Sequence, residues 1–579
     1  MKNIQHTLVA LVAMFIVVTT LSPNPYGNNP DIIVDESYFL TSSLSAIQKG
    51  TLPGWEFSYS GNYYGGVQTY IDTLAILPII TAIVLKSGFS ILTTKVYIAL
   101  HTGELLHFLR LINGATALFA LAGSIFFFRK KQIPQTLGLT LSLFAILLLS
   151  DVLLLQMLHT AKVWVTHLML MAVASALFIA QQYYQTHQSH LGQPFMKKDR
   201  YVALLFWMGV LAFCQNYVGA ASIGLIGIYA LALKHFTFAD LWRHVKKYWY
   251  WVIVAGITQI SFIYRAIFMN WMSGSFSNIS YKSDDVHIDW LSRIYKPAIT
   301  AVQSQPLVFL YIVLALIGIY FLMKKFDDSA TNQKKDRLYL LIACTHPIFV
   351  YLIFHIAIGF GSAPRYSVIF TTACAFSIAV LAELLDARIS EQGVCIRWSG
   401  IVLASTLFLV IGTQSISLYW KPSTEKLLLE TLMKKYNDPS IAFVEHWSAL
   451  RMTLPVNDRS MLILDPKRQS MGRFDFLMQH PGVVKEQVAF KPLTYLAYNQ
   501  EELGTIMKKL TSPETNLGTK TIWLITQDDE RPCNATELEK QTCFHSEGRY
   551  RWTPQEPHPL REFLQAEHLG SLYTIRKVR

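Results

Sequence analysis

The stretch QHTLVALVAMFIVVTTLSPNPYGNNPDIIVDESYFL, residues 5–40, places an apolar run directly before the acidic pair Asp35-Glu36. The run is long enough for a transmembrane helix or for the hydrophobic region of a signal peptide. No small-x-small cleavage site follows it before Pro23, which favours an uncleaved anchor. The chain is therefore predicted to cross the membrane here and to present two carboxylates just outside it.

Similar apolar runs recur along the 579 residues. Hydrophobic residues make up 52% of the sequence and charged residues 15%, against about 25% charged residues in ordinary globular proteins. The predicted fold class is therefore a polytopic α-helical membrane protein with about 11 transmembrane helices. The runs lie near residues 5–22, 106–128, 135–155, 164–182, 201–216, 217–233, 248–266, 304–323, 338–357, 366–384 and 399–417.

The net charge of +12 has a topological explanation. Lys and Arg collect in short loops on one predicted side, at 129–131, 197–200, 234–247 and 324–337. Cytoplasmic loops of membrane proteins carry an excess of these residues. The pattern therefore predicts a cytoplasmic N-terminus and disfavours nucleic-acid binding as the reason for the charge.

The run at 70–86 decides the predicted topology. It is apolar, but it contains Asp72 and a central Pro78. As a full span it would invert every later helix and move the basic loops to the outer side, against the positive-inside pattern. We therefore expect a short juxtamembrane or re-entrant helix on the outer face, and a C-terminal part that also faces outward.

The composition changes near residue 420. Residues 1–419 are predicted to form the transmembrane domain, which includes a large outward loop at 23–105. Residues 420–579 lack long apolar runs, are long enough to fold alone, and alternate β-rich runs with helix-like stretches, which predicts a soluble C-terminal α/β domain. The β-rich runs are SIAFVEH (440–446), SMLILD (460–465), TIWLIT (521–526) and SLYTIR (571–576).

The six cysteines form two groups. Cys533 and Cys543 lie in the predicted outward domain, where an oxidising compartment permits a disulfide, and the spacing leaves open whether one forms. The others lie in or beside apolar runs and are predicted core residues: Cys214, Cys344, Cys374 and Cys395.

The acidic pair has two compatible interpretations. Asp35 is a suitable N-cap for an amphipathic helix that follows it, and Glu36 is a favourable charge in the first turn. A carboxylate beside a membrane domain is also suited to act as a general base toward an acceptor hydroxyl. Capping would fix the orientation of such a base.

The order of a first helix, an outward loop that begins Asp-Glu and a helix beside the membrane resembles the start of GT-C superfamily glycosyltransferases. That superfamily includes protein O-mannosyltransferases and the aminoarabinose transferases that modify lipid A. The loop after their first span carries the catalytic acidic residue, and a polyprenyl-phosphate sugar is the donor. The resemblance implies a GT-C-like domain in which Asp35 is the general base and Glu36 a lesser, supporting residue.

Two later segments extend the resemblance. HFLRLINGATALFALAGSIFFFRKK (107–131) is similar to the second span of this superfamily, with Arg110 near its outer end. SAPRYSVIF (362–370) is similar to a late outward motif in which an Arg-Tyr pair, here Arg365-Tyr366, precedes a span. Arg365 is the cation that best matches a position of the family.

A third segment departs from the pattern. HTAKVWVTHLML (159–170) lies where relatives carry an Arg and then an Asp. Lys162 takes the basic position, while Thr166 or His167 stands near the acidic one. The departure disfavours a second acidic site and a divalent metal.

The resemblance implies specific ligands. The donor phosphate would be held by Arg365, Lys162, Arg110 and Tyr366, because cationic groups stabilise a leaving phosphate. Each cation is alternatively an anchor that extends its charge to lipid headgroups. No nucleotide or other cofactor is implied. The implied partners are the polyprenyl-phosphate sugar, a lipid, glycan or protein acceptor and membrane lipids, in a bacterial inner or plasma membrane.

Aromatic residues in the first outward loop form a candidate substrate groove. Trp55, Tyr63 and Tyr64 are suited to stack on a sugar ring, and we place His167 in the same groove. Aromatic residues also form belts at membrane interfaces, and the sequence leaves both interpretations open.

Three functions are compatible with these features: a lipid-phosphate-dependent glycosyltransferase, a transporter or flippase of lipid-linked sugars, and an inactive scaffold. Ion-coupled transport usually needs ionisable residues near the middle of the membrane. The predicted spans are nearly free of them at their centres, so we favour the glycosyltransferase.

Overall fold

The structure is a computed structural model of the chain. It describes residues 14–15, 17–18, 21–23, 36–51, 67–131, 133–159, 164–187, 194–215, 217–258, 295, 298–299, 301–303, 305–323, 331–353, 367–389, 395–424, 426–427, 440–446, 461–462, 476–477, 479–487, 494–498, 508, 521–527, 542–544, 560–566, 568–569 and 573–577.

The described part of the chain before residue 424 is almost entirely α-helical. Its helices are α1 (Glu36–Lys49), α2 (Val67–Lys86), α3 (Ile91–Leu100), α4 (Thr102–Lys130), α5 (Gln135–Leu149), α6 (Val152–Met157), α7 (Trp164–Thr186), α8 (Lys198–Gln215), α9 (Tyr217–Ala232), α10 (Phe238–Thr258), α11 (Val308–Met323), α12 (Thr331–Tyr351), α13 (Ser367–Ile389) and α14 (Cys395–Trp420).

Five helices among the described residues are long and apolar enough to cross a membrane, which confirms the predicted class of helical membrane protein. The total of about 11 spans stays a prediction. Of the five, α13 is the most completely buried. The five segments are Val67–Lys86, Thr102–Phe128, Val165–Thr186, Val368–Ala387 and Ile396–Trp420.

Helix α2 is longer than expected. It is continuous over 20 residues and belongs to the five candidate spans, so the expectation of a short helix was wrong in length. Pro78 lies inside it without ending it. Threonine hydroxyls supplement the backbone hydrogen bonds on either side, from Thr73 to the Thr69 carbonyl at 2.6 Å and from Thr81 to the Leu77 carbonyl at 2.8 Å. Such side-chain donors let apolar helices tolerate proline.

Hydrogen bonds to α5 establish which helix ends lie together. The Thr371 hydroxyl, near the start of α13, donates to the Asp151 carboxylate just after α5. Arg397, near the start of α14, donates to the Thr136 carbonyl at the start of α5 (3.0 Å) and to the Asp386 carboxylate near the end of α13 (2.8 Å). We call these two ends of the helical region the Asp151 end and the Asp386 end; about 22 Å of helix separates them.

Basic residues from the predicted cytoplasmic loops lie at the Asp386 end. The Lys131 ammonium, just before α5, donates to the Phe195 carbonyl at 2.8 Å, three residues before α8 begins at Lys198. The end of α7 reaches the same place, because the Tyr183 hydroxyl is hydrogen-bonded to Thr136. The predicted topology assigns this end to the cytoplasm.

The C-terminal part contains one six-stranded mixed sheet in the order β2-β3-β1-β4-β6-β5. The first four strands in that order are parallel, and β6 pairs antiparallel with both β4 and β5. Each of the four runs predicted to be β-rich contains a strand, while β3 and β5 were not predicted. The elements are β1 (Ile441–His446), β2 (Met461–Leu462), α15 (Pro481–Gln487), β3 (Thr494–Tyr498), β4 (Thr521–Gln527), β5 (Thr542–Phe544), α16 (Leu560–Gln565) and β6 (Tyr573–Lys577).

The C-terminal part contacts the helical region at two places. Val484 of α15 is buried with Val96 of α3 in one apolar cluster. The Gln414 amide of α14 donates to the carbonyls of Phe563 and Ala566, at 3.0 and 2.6 Å. Helices α15 and α16 therefore pack against the helical region at α3 and at α14.

Three predicted core cysteines, Cys214, Cys344 and Cys374, are buried. The backbone of α11 approaches Cys344 closely at Gly318. A Cβ atom added to Gly318 would lie 2.7 Å from the Cys344 sulfur. Cys533 lies outside the described residues, so the question of a disulfide with Cys543 stays open.

Candidate functional site

A buried polar cluster joins α2, α4 and α7. The Gln68 amide donates to the Asp72 carboxylate at 2.8 Å and to the Asn113 side-chain oxygen at 2.7 Å. The Thr166 hydroxyl donates to the Gln68 oxygen at 3.1 Å. The three helices are thus connected through one glutamine. We use the name Arg110 cluster for Gln68, Asp72, Asn113 and Thr166 together with two buried residues next to them on the same helices, Arg110 on α4 and His167 on α7.

Helical spacing explains how these residues come together. Gln68 and Asp72 are four residues apart on α2, and Arg110 and Asn113 are three apart on α4, so each pair occupies one face of its helix. Thr166 belongs to the first turn of α7. The apolar remainder of these helices packs into the protein or the membrane, and their polar residues meet where the helices converge.

The burial of this cluster is unusual for its chemistry. Gln68, Asp72 and His167 are each 0% exposed, and Arg110 is 7% exposed. Charged and polar groups inside a membrane domain carry a large desolvation cost, and where they occur they commonly mark a functional site. The cluster is therefore the strongest candidate site among the described residues.

Arg110 lies near two histidines. Burial, with a smaller contribution from the Arg110 charge, lowers the pKa of His159 to about 3, so this imidazole is neutral at pH 7. Its ring stacks on Tyr419 at 3.8 Å between centroids. His107 lies one turn before Arg110 on α4. In this group, the guanidinium supplies the positive charge.

The first residues of α7 and α13 meet beside the Arg110 cluster. Val368, at the start of α13, and Leu168, in the first turns of α7, belong to one buried apolar cluster with Leu154 and Met157 of α6. The Asp151 carboxylate lies at the same place and accepts a hydrogen bond from the Thr371 hydroxyl. The starts of α7 and α13 therefore lie together at the Asp151 end.

Helix α1 packs beside the cluster as its pattern predicted. Leu40 is buried with Ile76 of α2 and Leu109 of α4. The Ser43 hydroxyl donates to the Thr69 carbonyl at 3.4 Å, next to Gln68. The first outward segment is therefore connected to the site through α1.

Two predicted site residues are described and buried: Arg110 lies one turn before Asn113 on α4, and His167 directly follows Thr166 on α7. Glu36 is the first residue of α1. The remaining predicted residues lie outside the described part of the chain: Asp35, Trp55, Tyr63, Tyr64, Lys162, Arg365 and Tyr366. Their roles stay predictions.

Sequence reasoning missed Gln68, Asp72 and Asn113 as site residues. Asp72 was noted only as an interruption of an apolar run. The available signal was helical spacing, since Gln68 with Asp72 and Asn113 with Arg110 each share a face of an otherwise apolar helix.

A second buried charged group lies at the Asp386 end. The Asp386 carboxylate accepts the Arg397 guanidinium and the backbone N–H groups of Ile396 and Arg397, at 2.6 and 3.2 Å. Asp386 thus binds the first N–H groups of α14, which lack partners within that helix. The arrangement connects α13 to α14 and has an evident structural role.

Within the described residues, no group of three or more His, Cys, Asp or Glu side chains is placed to hold a metal ion. His101 and Glu104 contact each other at 2.9 Å one turn apart, and the His101 ring also stacks on Tyr97.

No protein-family model and no curated protein matches the chain. Among solved structures, the chain is similar to ArnT from Cupriavidus metallidurans in the apo state. The identity is 12% and the TM-score 0.45, over 93% of this chain and 94% of that chain. A TM-score at this level is too low to define a shared fold.

Proposed function

We propose that this protein is a membrane glycosyltransferase with a GT-C-like transmembrane domain. It moves a sugar from a polyprenyl-phosphate donor to an acceptor hydroxyl on a lipid, glycan or protein at the extracytoplasmic face of a bacterial inner or plasma membrane. The observation that carries this proposal is the buried Arg110 cluster at the end of the helical region where α1, α7 and α13 begin.

Backbone distances support a shared site. Ser43, which contacts the start of α2, lies seven residues after Glu36, so about 10 Å of helix separates that contact from the start of α1. In sequence, Lys162 precedes the first residue of α7 by two positions, and Arg365 precedes the first residue of α13 by two. The two helix starts pack together. This arrangement favours the convergence of the predicted acid and the predicted cations.

The chemistry assigns a role to each group. The acceptor oxygen attacks the anomeric carbon and forms the new C–O bond, while its proton passes to the Asp35 carboxylate. The bond from the anomeric carbon to the phosphate oxygen breaks with inversion, and polyprenyl phosphate leaves with that electron pair. Arg365, Lys162 and Arg110 stabilise the phosphate.

The remaining predicted residues position these reactants. Tyr366 supports the phosphate site and Glu36 the catalytic carboxylate. The sugar and acceptor lie against Trp55, Tyr63, Tyr64 and His167. Because phosphate is a good leaving group, positioning and charge stabilisation supply most of the rate enhancement.

The test uses purified protein in lipid with a panel of polyprenyl-phosphate sugars, and it measures the release of polyprenyl phosphate. We expect activity with at least one sugar, and a fall of about 10²–10⁴-fold in Asp35→Asn, because general-base catalysis contributes a factor of this size. Glu36→Gln is the matched control and should retain more activity than Asp35→Asn.

Folding is checked by the melting temperature of each variant. A folded Asp35→Asn variant with full activity would contradict the proposed role of Asp35 as general base. Movement of an intact lipid-linked sugar across the bilayer, with no release of polyprenyl phosphate, would favour the flippase instead.

A further inference from the structure

An apolar groove runs between α8, α9 and α10. Its volume is about 550 Å³, within the range of about 300–1,000 Å³ typical of small-molecule sites. Large apolar residues alternate with glycines along its walls. The lining includes Phe206, Gly209, Gly224, Gly227, Leu231 and Gly256.

The glycines keep this groove open. A Cβ atom added to Gly224, Gly227 or Gly256 would meet no atom within 4 Å. Glycine is therefore not required there by close packing of helices. A larger side chain at these positions would extend into the groove, which makes its occupancy testable.

One end of the groove lies at the Asp386 end of the helical region. Val202 and Phe236 line it there, next to Tyr201 and His235. The His235 ring donates a hydrogen bond at 2.7 Å from Nε2 to the side-chain oxygen of Gln182, near the end of α7. This end is the predicted cytoplasmic one.

Positive charge surrounds that end. The segments 197–200 and 234–247 carry seven Lys and Arg residues against two Asp residues. The Asp240 carboxylate is bound by the Lys198 ammonium and by the Thr237 hydroxyl and backbone N–H. Arg243 is 3.9 Å from the same carboxylate, yet its side chain is 74% exposed. The rim is therefore suited to an anion.

Helix α10 changes character along its length. Its backbone is non-helical at Tyr248. Before this point lie Arg243, Lys246 and Lys247; after it the residues are aromatic and apolar. Trp249 and Trp251 are exposed. Basic residues followed by tryptophans and an apolar segment are typical of the boundary between lipid headgroups and acyl chains.

We propose that this groove binds one anionic phospholipid, with an acyl chain along α8, α9 and α10 and its phosphate at Arg243, Lys247 and Lys198. The occupant is a phospholipid because a cationic rim adjoins the apolar channel: Lys198 lies one helical turn before Val202, which lines the channel. Juxtamembrane cations attract anionic headgroups in this way. The phosphate site is at the Asp386 end, opposite the proposed catalytic site at the Asp151 end, and does not depend on it.

The test compares binding of phosphatidylglycerol and phosphatidylcholine with the same acyl chains to purified full-length protein, by native mass spectrometry. We expect one phosphatidylglycerol to be retained in preference to phosphatidylcholine. Arg243→Glu/Lys247→Glu should weaken phosphatidylglycerol binding about 25-fold, at about fivefold for each cation removed. Lys130→Glu/Lys334→Glu, which makes the same charge change at other exposed lysines, should leave it unchanged.

A second variant tests the groove itself. Gly227→Leu should abolish retention of the phospholipid, whereas Gly123→Leu, at another open helical position outside the groove, should not. Equal retention of the two phospholipids by the unaltered protein would overturn the proposal and indicate ordinary surrounding lipid. Loss of a dimer in Gly227→Leu would also overturn the proposal, because it would indicate that a second copy of the chain occupies the groove. Displacement of phosphatidylglycerol by one equivalent of polyprenyl phosphate would overturn it as well.

Discussion

Two buried arginines lie at opposite ends of the helical region, and their surroundings differ. Arg397 binds a carboxylate eleven residues earlier in the chain, and that carboxylate also caps α14. Arg110 lies beside a cluster whose hydrogen bonds join residues 45 and 98 positions apart, on three helices. Burial of charge is common to both, so burial alone does not identify a functional site. The difference lies in what each arrangement accomplishes: one connects two consecutive helices, and the other gathers polar groups where several helices start.

The largest expected effect is at the Asp386 end, where the buried ion pair has a structural role. Arg397→Met would leave Asp386 buried without its cation, which should cost about 3–5 kcal/mol of the free energy of unfolding. The melting temperature in detergent measures this loss. Lys334→Met, which removes an exposed lysine, is the control and should melt near the unaltered protein.

The double variant Asp386→Leu/Arg397→Met should recover only part of that loss. It removes the unpaired charge, but it also removes the side chain that caps α14, a contribution of about 1 kcal/mol. An Arg397→Met variant with an unchanged melting temperature would contradict the structural role.

The next effect is on activity. Arg110→Gln should lower the rate of polyprenyl-phosphate release about 10²–10³-fold, because it removes a buried cation proposed to stabilise the leaving phosphate. Its melting temperature should fall less than that of Arg397→Met. Arg110→Lys keeps the charge but loses the planar fork of donors, so it should show an intermediate rate. Equal activity of all three proteins would exclude Arg110 from the site.

A smaller effect is expected within the hydrogen-bond network. Asn113→Ala should cost about 1–3 kcal/mol of stability, since it removes a partner of the buried Gln68 amide. Thr116→Ala is the control on the same helix, because the Thr116 hydroxyl donates to the carbonyl of Ile112. A double-mutant cycle of Gln68→Ala with Asn113→Ala should give a coupling energy of about 0.5–3 kcal/mol. Additive effects would show that α2 and α4 are not coupled here.

The smallest effect at neutral pH concerns two histidines. Burial lowers the pKa values of His159 and His235 to about 3, with smaller contributions from Arg110 and Lys335 respectively. Unfolding restores values near 6.5, so the unfolded chain binds more protons between about pH 6.5 and 3. The stabilisation is complete above about pH 6.5 and is lost as the pH falls toward 3.

Melting temperatures between pH 7.5 and 5 measure this dependence. His235→Gln should make the melting temperature less dependent on pH. His159→Gln, at the other end of the molecule, should have the same effect. A pH dependence unchanged in both variants would contradict burial of neutral imidazoles.

Local patterns predicted much of the fold. The amphipathic pattern after Asp35 predicted α1, and short β-rich runs separated by helix-like stretches predicted β1, β2, β4 and β6. The length of α2 was misjudged because the topological argument gave weight to Asp72 and Pro78. Strand β3 was not predicted, because the periodicity of a short apolar run does not distinguish a strand from a helix segment.

The candidate site was less predictable. Arg110 and His167 were selected through a family resemblance, and their helices do meet. Gln68 was not selected, although it joins all three helices, because its partners lie 45 and 98 residues away. No local period relates positions so far apart, and only the packing of the helices brings them together.

The contact between α3 and α15 has a consequence for biosynthesis. The apolar surface around Val96 is covered by Val484, almost 390 residues later in the chain. A ribosome that adds about 5–20 residues per second needs roughly 20 to 80 seconds to make that stretch. During this interval the nascent protein carries an uncovered apolar patch outside its early helices. A late-made part of the chain thus completes one of its first-made surfaces.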